Sequence, residues 1–237
     1  EFIVKSLQNN LFSKMTIILA MSGEWSRSQW IYWGYATPSL APQATATKRA
    51  NNYDTWASDG TALANSNIAA AFEASDGSAI TQNIMQTYIQ ATLRYANKMD
   101  RDIGGGAATA GWKNQGEGWG FSLVIADALT GANAATIDTM YNLSTRNTAG
   151  DNYCVAFTAL SLDPIYSADL VGSLGEYASY QETTGNSGTA TAPVCSSGGS
   201  SCADDPYDTN YDGMVGVDVS CLLRPLVYTD FAAANTF

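Results

Sequence analysis

The sequence predicts a mainly α fold, arranged as a multi-helix, bundle-like domain with a disulfide-pinned, loop-rich C-terminal segment. Apolar residues recur at helical spacing through the first two-thirds of the chain, and strand-like alternation is nowhere sustained. The chain from residue 154 onward contains all four cysteines and a run rich in glycine, serine and threonine. We therefore expect a helical domain over residues 1–182 and a segment over residues 183–237 that packs on the same domain.

Helices are predicted where apolar residues follow the i, i+3, i+4, i+7 pattern. The clearest case is Ser78–Asp100, whose apolar stripe consists of Ile80, Ile84, Tyr88, Ala91 and Tyr95. An aromatic-rich stretch, Trp25–Tyr35, ends before a proline, and the segment Pro38–Asn52 that follows is expected to be irregular. The other predicted helices are Phe2–Met21, Ala62–Ala74, Gly111–Leu129, Ala132–Leu143, Asp151–Leu162 and Ala168–Tyr180.

Composition and charge exclude several classes of protein. With 11 basic and 22 acidic side chains, the net charge of −11 would repel a nucleic acid or an anionic membrane surface. The longest apolar run, Met15–Met21, is too short to insert across a bilayer. No histidine is present, which removes Ser-His-Asp and Cys-His catalysis and imidazole-ligated metals. We expect oxygen ligands for any metal and no enzymatic activity, although a hydrolase that uses two carboxylates stays open.

The cysteines predict two disulfides, because none of them has the C-x-x-C spacing of a zinc or redox motif. Three connectivities are open for Cys154, Cys195, Cys202 and Cys221. We favour Cys195–Cys202 as a local staple and Cys154–Cys221 as a long-range tie, with free buried thiols as the alternative. Disulfides persist in oxidising compartments, so we expect a secreted, periplasmic or cell-surface protein.

A glycosylation acceptor pattern agrees with that location. Asn142-Leu143-Ser144 matches N-x-S/T, so Asn142 is a candidate site for a glycan. No signal peptide is recognised, and the chain starts at Glu1 and not at a methionine. A processed form, or one segment of a longer polypeptide, is expected.

A calcium-binding loop is predicted in the aspartate-rich stretch 208–218. Oxygen side chains at Asp208, Asn210 and Asp212 fill loop positions one, three and five, and a glycine follows for the sharp turn. The Met214 carbonyl supplies a further oxygen. The closing acid, Asp218, lies one residue earlier than such loops place it, which predicts different or weaker coordination. The alternative is a solvated turn.

A glutamate lies among three glycines in an otherwise apolar predicted helix, at Gly116-Glu117-Gly118-Trp119-Gly120. Each glycine costs about 1 kcal/mol of helix stability relative to alanine, so the glycines predict a close approach of helices around a buried Glu117. A buried carboxylate needs a cation, a metal or strong donors. Arg94, Lys98 and Arg101 of the preceding helix could pair with it.

Acids also end the longest predicted helix, at Asp100 and Asp102. Acids at a helix C-terminus oppose the helix dipole. A bound cation would explain them, and a solvated surface is the alternative.

Four stretches of the chain stand in a characteristic order and spacing. They are Lys48-Arg49-Ala50-Asn51-Asn52-Tyr53, Ala64-Asn65-x-Asn67-Ile68 with Ala71, Gln90–Asp100 and Glu117–Ala126. Together they resemble the Fea1 family, the low-iron-inducible periplasmic or secreted proteins of algae, over residues 45–145. The resemblance implies a helical extracellular protein that assimilates iron through acidic side chains. By position it implies Glu117 and Asp100 as ligands, with Arg94 as a partner that neutralises or orients them.

Two functional hypotheses follow. The leading one is an extracellular or periplasmic metal-binding protein, similar to iron-assimilation proteins, that holds its metal through carboxylate and other oxygen ligands. Ferric iron is a hard ion that prefers carboxylate and phenolate oxygen, and the chain has both. The alternative is a structural or interaction subunit of an extracellular or cell-surface assembly, stabilised by calcium and disulfides, whose partners are other cell-surface proteins.

Overall fold

The protein is mainly helical, as the sequence predicts, in a computed structural model that describes residues 2–35, 38–161, 163, 181–183, 189–191 and 195. The α-helices are α1 (Phe2–Met21), α2 (Trp25–Trp33), α3 (Pro42–Tyr53), α4 (Leu63–Ala74), α5 (Gly77–Gly104), α6 (Ala108–Ile125), α7 (Gly131–Tyr141) and α8 (Asn152–Ser161). Short 3-10 helices cover Pro38–Leu40 and Ala126–Ala128. Strands β1 (Gln181–Thr183) and β2 (Thr189–Thr191) pair antiparallel. The predicted helix Ala168–Tyr180 lies outside the described residues.

One compact unit, Glu1–Val194, contains every described residue except Cys195, which begins a second unit, Cys195–Phe237. Among the described helices, none combines the length and the apolar character that crossing a membrane requires.

Helix α5 lies at the centre of the first unit and packs against α1, α3, α4, α6 and α8. Its predicted apolar stripe is buried, which confirms the strongest helical pattern in the sequence. The helix begins where the Asp76 carboxylate accepts a hydrogen bond from the Ala79 backbone N–H at 3.0 Å. It ends at Gly104, in the glycine run that follows the stripe.

The prediction of an irregular segment over Pro38–Asn52 is wrong, because residues 42–53 form α3. Pro42 stands in the first turn, where its fixed φ suits a helix and its missing N–H costs nothing. The buried side of α3 includes Thr45, Ala46 and Arg49, which are small or polar. A search for apolar spacing therefore does not detect this helix.

The glycines of α6 permit the close helix approach that the sequence predicts. A side chain at Gly118 would overlap the ring of Tyr141 on α7, and one at Gly120 would overlap Ser6 on α1. Helix α6 also packs along α5. The loss of helix propensity at these glycines is offset by contacts that no larger residue allows.

Cys154, in α8, and Cys195 are both disulfide-bonded, which excludes free buried thiols at these two positions. Each of the favoured pairs, Cys154–Cys221 and Cys195–Cys202, includes a cysteine that lies outside the described residues.

Candidate functional site

Asp100 caps the start of α8 from the end of α5. Its Oδ1 accepts hydrogen bonds from the backbone N–H of Asn152 at 2.8 Å and from Asn152 Nδ2 at 2.6 Å. Its Oδ2 accepts one from the backbone N–H of Tyr153 at 2.7 Å. A carboxylate at a helix N-terminus satisfies orphan N–H groups and meets the positive end of the dipole. Asp100 therefore opposes the dipole of its own helix, α5, but interacts favourably with the dipole of α8.

Burial raises the pKa of Asp100 above its ordinary value. The hydrogen bonds from Tyr153 and Asn152 oppose that rise, and the nearby charge of Asp151 adds to it. Both oxygens are engaged by α8, so a metal ion would have to compete with three hydrogen bonds. In this arrangement Asp100 fits a cap better than an iron ligand.

Asp102 is also held by protein donors. Its Oδ2 accepts a hydrogen bond from Asn114 Nδ2 on α6 at 2.7 Å, and its Oδ1 accepts one from Nε of Arg101 at 3.1 Å. The side chain is 19% exposed. Asp102 is therefore not a solvated surface acid, which was the alternative for this pair. It instead links α5 to α6 by a hydrogen bond.

Glu117 lies at the contact between α5 and α6, beside Tyr95. Its side chain is only 14% exposed, and its Oε1 is 3.6 Å from Nζ of Lys113, one turn earlier on α6. The Tyr95 hydroxyl is hydrogen-bonded to the same carboxylate. The guanidinium of Arg94, a predicted partner of Glu117, lies 5.0 Å from the centre of the Tyr95 ring. The ion pair of this partly buried carboxylate is therefore with Lys113 of its own helix, a residue that is not among the partners predicted from the sequence.

Tyr95 and Glu117 together place a phenol next to a carboxylate. Burial raises the pKa of Tyr95 to about 12, the charges of Arg49 and Arg94 lower it, and the charge of Glu117 raises it. The phenol is therefore protonated at neutral pH and donates to the carboxylate. We call this pair, with Lys113 and Arg94, the Glu117 cluster.

The two carboxylates that the resemblance implies as iron ligands have different neighbours. Asp100 contacts α8, whereas Glu117 contacts Lys113 and Tyr95. Across the described parts of the chain, no group of three or more acidic or cysteine side chains is placed to hold a metal ion. The predicted calcium ligands Asp208, Asn210, Asp212, Met214 and Asp218 lie outside the described residues.

The feature that sequence reasoning missed is the orientation of α1. Its outward side is apolar, with side chains exposed by 38% to 65%. These residues, here named the α1 face, are Val4, Leu11, Met15, Ile18 and Met21. Its inward side consists of Ser6, Asn9, Ser13, Thr16 and Ala20, none more than 5% exposed. A surface helix normally buries its apolar stripe, so α1 is inverted.

Hydrogen bonds beneath α1 fix this inverted orientation. Asn9 Nδ2 donates to Thr45 Oγ1 at 2.9 Å, and the buried hydroxyl of Tyr88 is hydrogen-bonded to Asn9 Oδ1 and to Ser13. Ser28 Oγ donates to the Thr16 carbonyl at 2.8 Å. Turning the helix about its axis would leave buried polar groups without partners, at about 1–3 kcal/mol each. The apolar side consequently stays outside.

A signal for this inversion is present in the sequence. The small and polar residues at positions 6, 9, 13, 16 and 20 have spacings of three and four, as regular as those of the apolar residues. Periodicity alone predicts a helix with two sides. It does not indicate which side packs inward when the partners supply hydrogen bonds.

Comparisons with family models, with curated proteins and with solved structures find no match for the chain. The fold class is therefore established by the structure itself. The features that bear on function are the α1 face, the Glu117 cluster and the disulfide-bonded cysteines.

Proposed function

We propose that the protein is a structural or interaction subunit of an extracellular or cell-surface assembly, and that it binds a neighbouring protein through the α1 face. The observation that carries the proposal is the inverted orientation of α1, which places five large apolar side chains on the surface. Exposed apolar surface of this kind is typical of protein interaction sites. The disulfide-bonded state of Cys154 and Cys195 supports a location outside the cytosol.

The size of the α1 face is suited to reversible assembly. Fully burying a large aliphatic side chain yields about 1.5–3 kcal/mol, and association costs about 4–15 kcal/mol. The free energy gained by burying five such side chains is similar to the cost of association. Contacts around the α1 face must therefore add to the affinity. Loss of two of the five should then separate the subunits.

The test uses the whole protein isolated under mild conditions from the cells that produce it. The wild type should sediment as a particle larger than the 25.1 kDa chain. The double variant Leu11→Gln with Ile18→Gln should sediment as a single chain, with an unchanged helical circular dichroism signal. Leu143→Gln is the matched control, because Leu143 is also exposed but lies in the turn after α7. Equal sedimentation of all three proteins would refute the proposal.

A second candidate function is iron binding by oxygen ligands in the extracellular space or periplasm. The observation that favours it is the contact between the Glu117 carboxylate and the Tyr95 phenol, two ligand types that ferric iron prefers. The resemblance of residues 45–145 to the Fea1 family agrees with it. Calcium in the loop 208–218 would be a separate, stabilising site.

Elemental analysis of protein from its native source tests this candidate. We expect a stoichiometric iron ion that is lost in Glu117→Gln with Asp100→Asn. Each single variant should be measured as well, because Asp100 also caps α8. Loss of iron in Glu117→Gln alone, with retention in Asp100→Asn, would assign the metal to the Glu117 cluster. Unchanged iron in the double variant would exclude both residues as ligands.

A further inference from the structure

The turn that follows α7 presents an amide side chain at the surface. Asn142 is the residue after the last turn of α7 and is exposed. Its Oδ1 accepts a hydrogen bond from the backbone N–H of Ser144 at 2.8 Å. Its Nδ2 donates no hydrogen bond within the part of the chain that the structure describes. The nitrogen is therefore accessible and is not needed to stabilise the turn.

The backbone of this turn is anchored from below by Gln115. The Gln115 side chain is buried, and its Nε2 donates to the carbonyls of Asn142 at 2.7 Å and Thr145 at 2.9 Å. Its Oε1 accepts from the backbone N–H of Asn147 at 3.1 Å. The main chain is thus fixed on the protein side, while the side chain of Asn142 remains in contact with solvent. A large group attached to Asn142 Nδ2 would displace no core contact.

We infer that Asn142 carries an N-linked glycan. Asn142-Leu143-Ser144 is the only N-x-S/T pattern in the sequence. In the transfer, Nδ2 forms a bond to C1 of the first sugar of a lipid-diphosphate-linked oligosaccharide. The sugar–phosphate bond breaks, the lipid diphosphate leaves with the electron pair, and the amide proton passes to a base of the host transferase.

The disulfide-bonded state of Cys154 and Cys195 is an independent observation that supports the same inference. Disulfides form in the secretory or periplasmic space, where N-glycosylation also takes place. The presence of the glycan does not depend on the proposed interaction through the α1 face.

The experiment is mass spectrometry of the tryptic peptide Asn114–Arg146 from protein isolated from its native source. We expect this peptide to carry a glycan mass that an N-glycan amidase removes, converting Asn142 to aspartate. Ser144→Ala should abolish the modification and Ser144→Thr should preserve it. Because Asn142 Oδ1 accepts from the backbone of residue 144 and not from its hydroxyl, both variants keep the turn. An unmodified peptide from the native protein would overturn the inference.

Discussion

Asp100 and Tyr153 join the end of α5 to the start of α8 through a hydrogen bond of 2.7 Å between the carboxylate and the backbone N–H. The residues are 53 positions apart in the chain, so the cap is supplied by tertiary structure and not by the local sequence. Asp100 is unfavourable at the C-terminal end of its own helix, α5, but it stabilises the N-terminal end of α8.

Asp100→Ala should destabilise the fold by about 1–3 kcal/mol, since it removes a charged acceptor from buried N–H groups at a helix start. Urea unfolding followed by circular dichroism measures the change. Asp138→Ala is the control, because Asp138 is exposed on α7. Equal stability of the two variants would show that the cap contributes nothing measurable.

The pKa of Asp100 predicts a specific pH dependence. Because burial raises the folded-state pKa above 3.8, the folded protein binds more protons than the unfolded chain between that value and the raised one. The contribution of Asp100 to stability is therefore largest below pH 3.8 and falls as the pH rises through the raised pKa. Asp100→Asn cannot titrate, so the wild type should lose stability relative to this variant over that window. Parallel stability curves for the two proteins would contradict the direction of the shift.

Gly118→Ala should destabilise the protein by about 1–3 kcal/mol, since the added methyl group overlaps the ring of Tyr141 and forces α6 and α7 apart. Gly104→Ala is the matched control, because a side chain there meets open space and alanine favours a helix. Thermal unfolding of both variants distinguishes the effects. A melting temperature equal to wild type in Gly118→Ala would mean that the helix contact adapts without cost.

Calcium removal tests the loop 208–218 separately from the helical core. If the loop binds calcium, a chelator should lower the melting temperature or dissociate the assembly while iron content stays constant. Asp208→Asn with Asp212→Asn should remove this response to the chelator. No change in melting temperature with chelator in the wild type would favour the solvated turn.

The fold could be predicted where the buried side of a helix is apolar. The stripe of α5 and the glycines of α6 both indicate contacts that the structure contains. Prediction failed where the buried side is polar, as in α3, because the helical period is carried by residues such as Thr45 and Arg49. The orientation of α1 was missed for the same reason, since its inward side is stabilised by hydrogen bonds to Thr45 and Tyr88.

The candidate site residues likewise have neighbours that the local sequence does not predict. The sequence predicted basic residues of the preceding helix as partners of Glu117, whereas the ion pair that the structure shows is with Lys113, one turn earlier on the same helix. The role of Asp100 depends on N–H groups more than 50 residues away, which no local pattern reveals. Disulfide pairing depends likewise on which chain segments meet in space.

The disulfide-bonded state of Cys154 and Cys195 has a consequence for chemical labelling. Neither sulfur is a free thiol, so an alkylating reagent should leave both residues unmodified until a reductant is added. The same bonded state protects both sulfurs from oxidation to sulfenic acid.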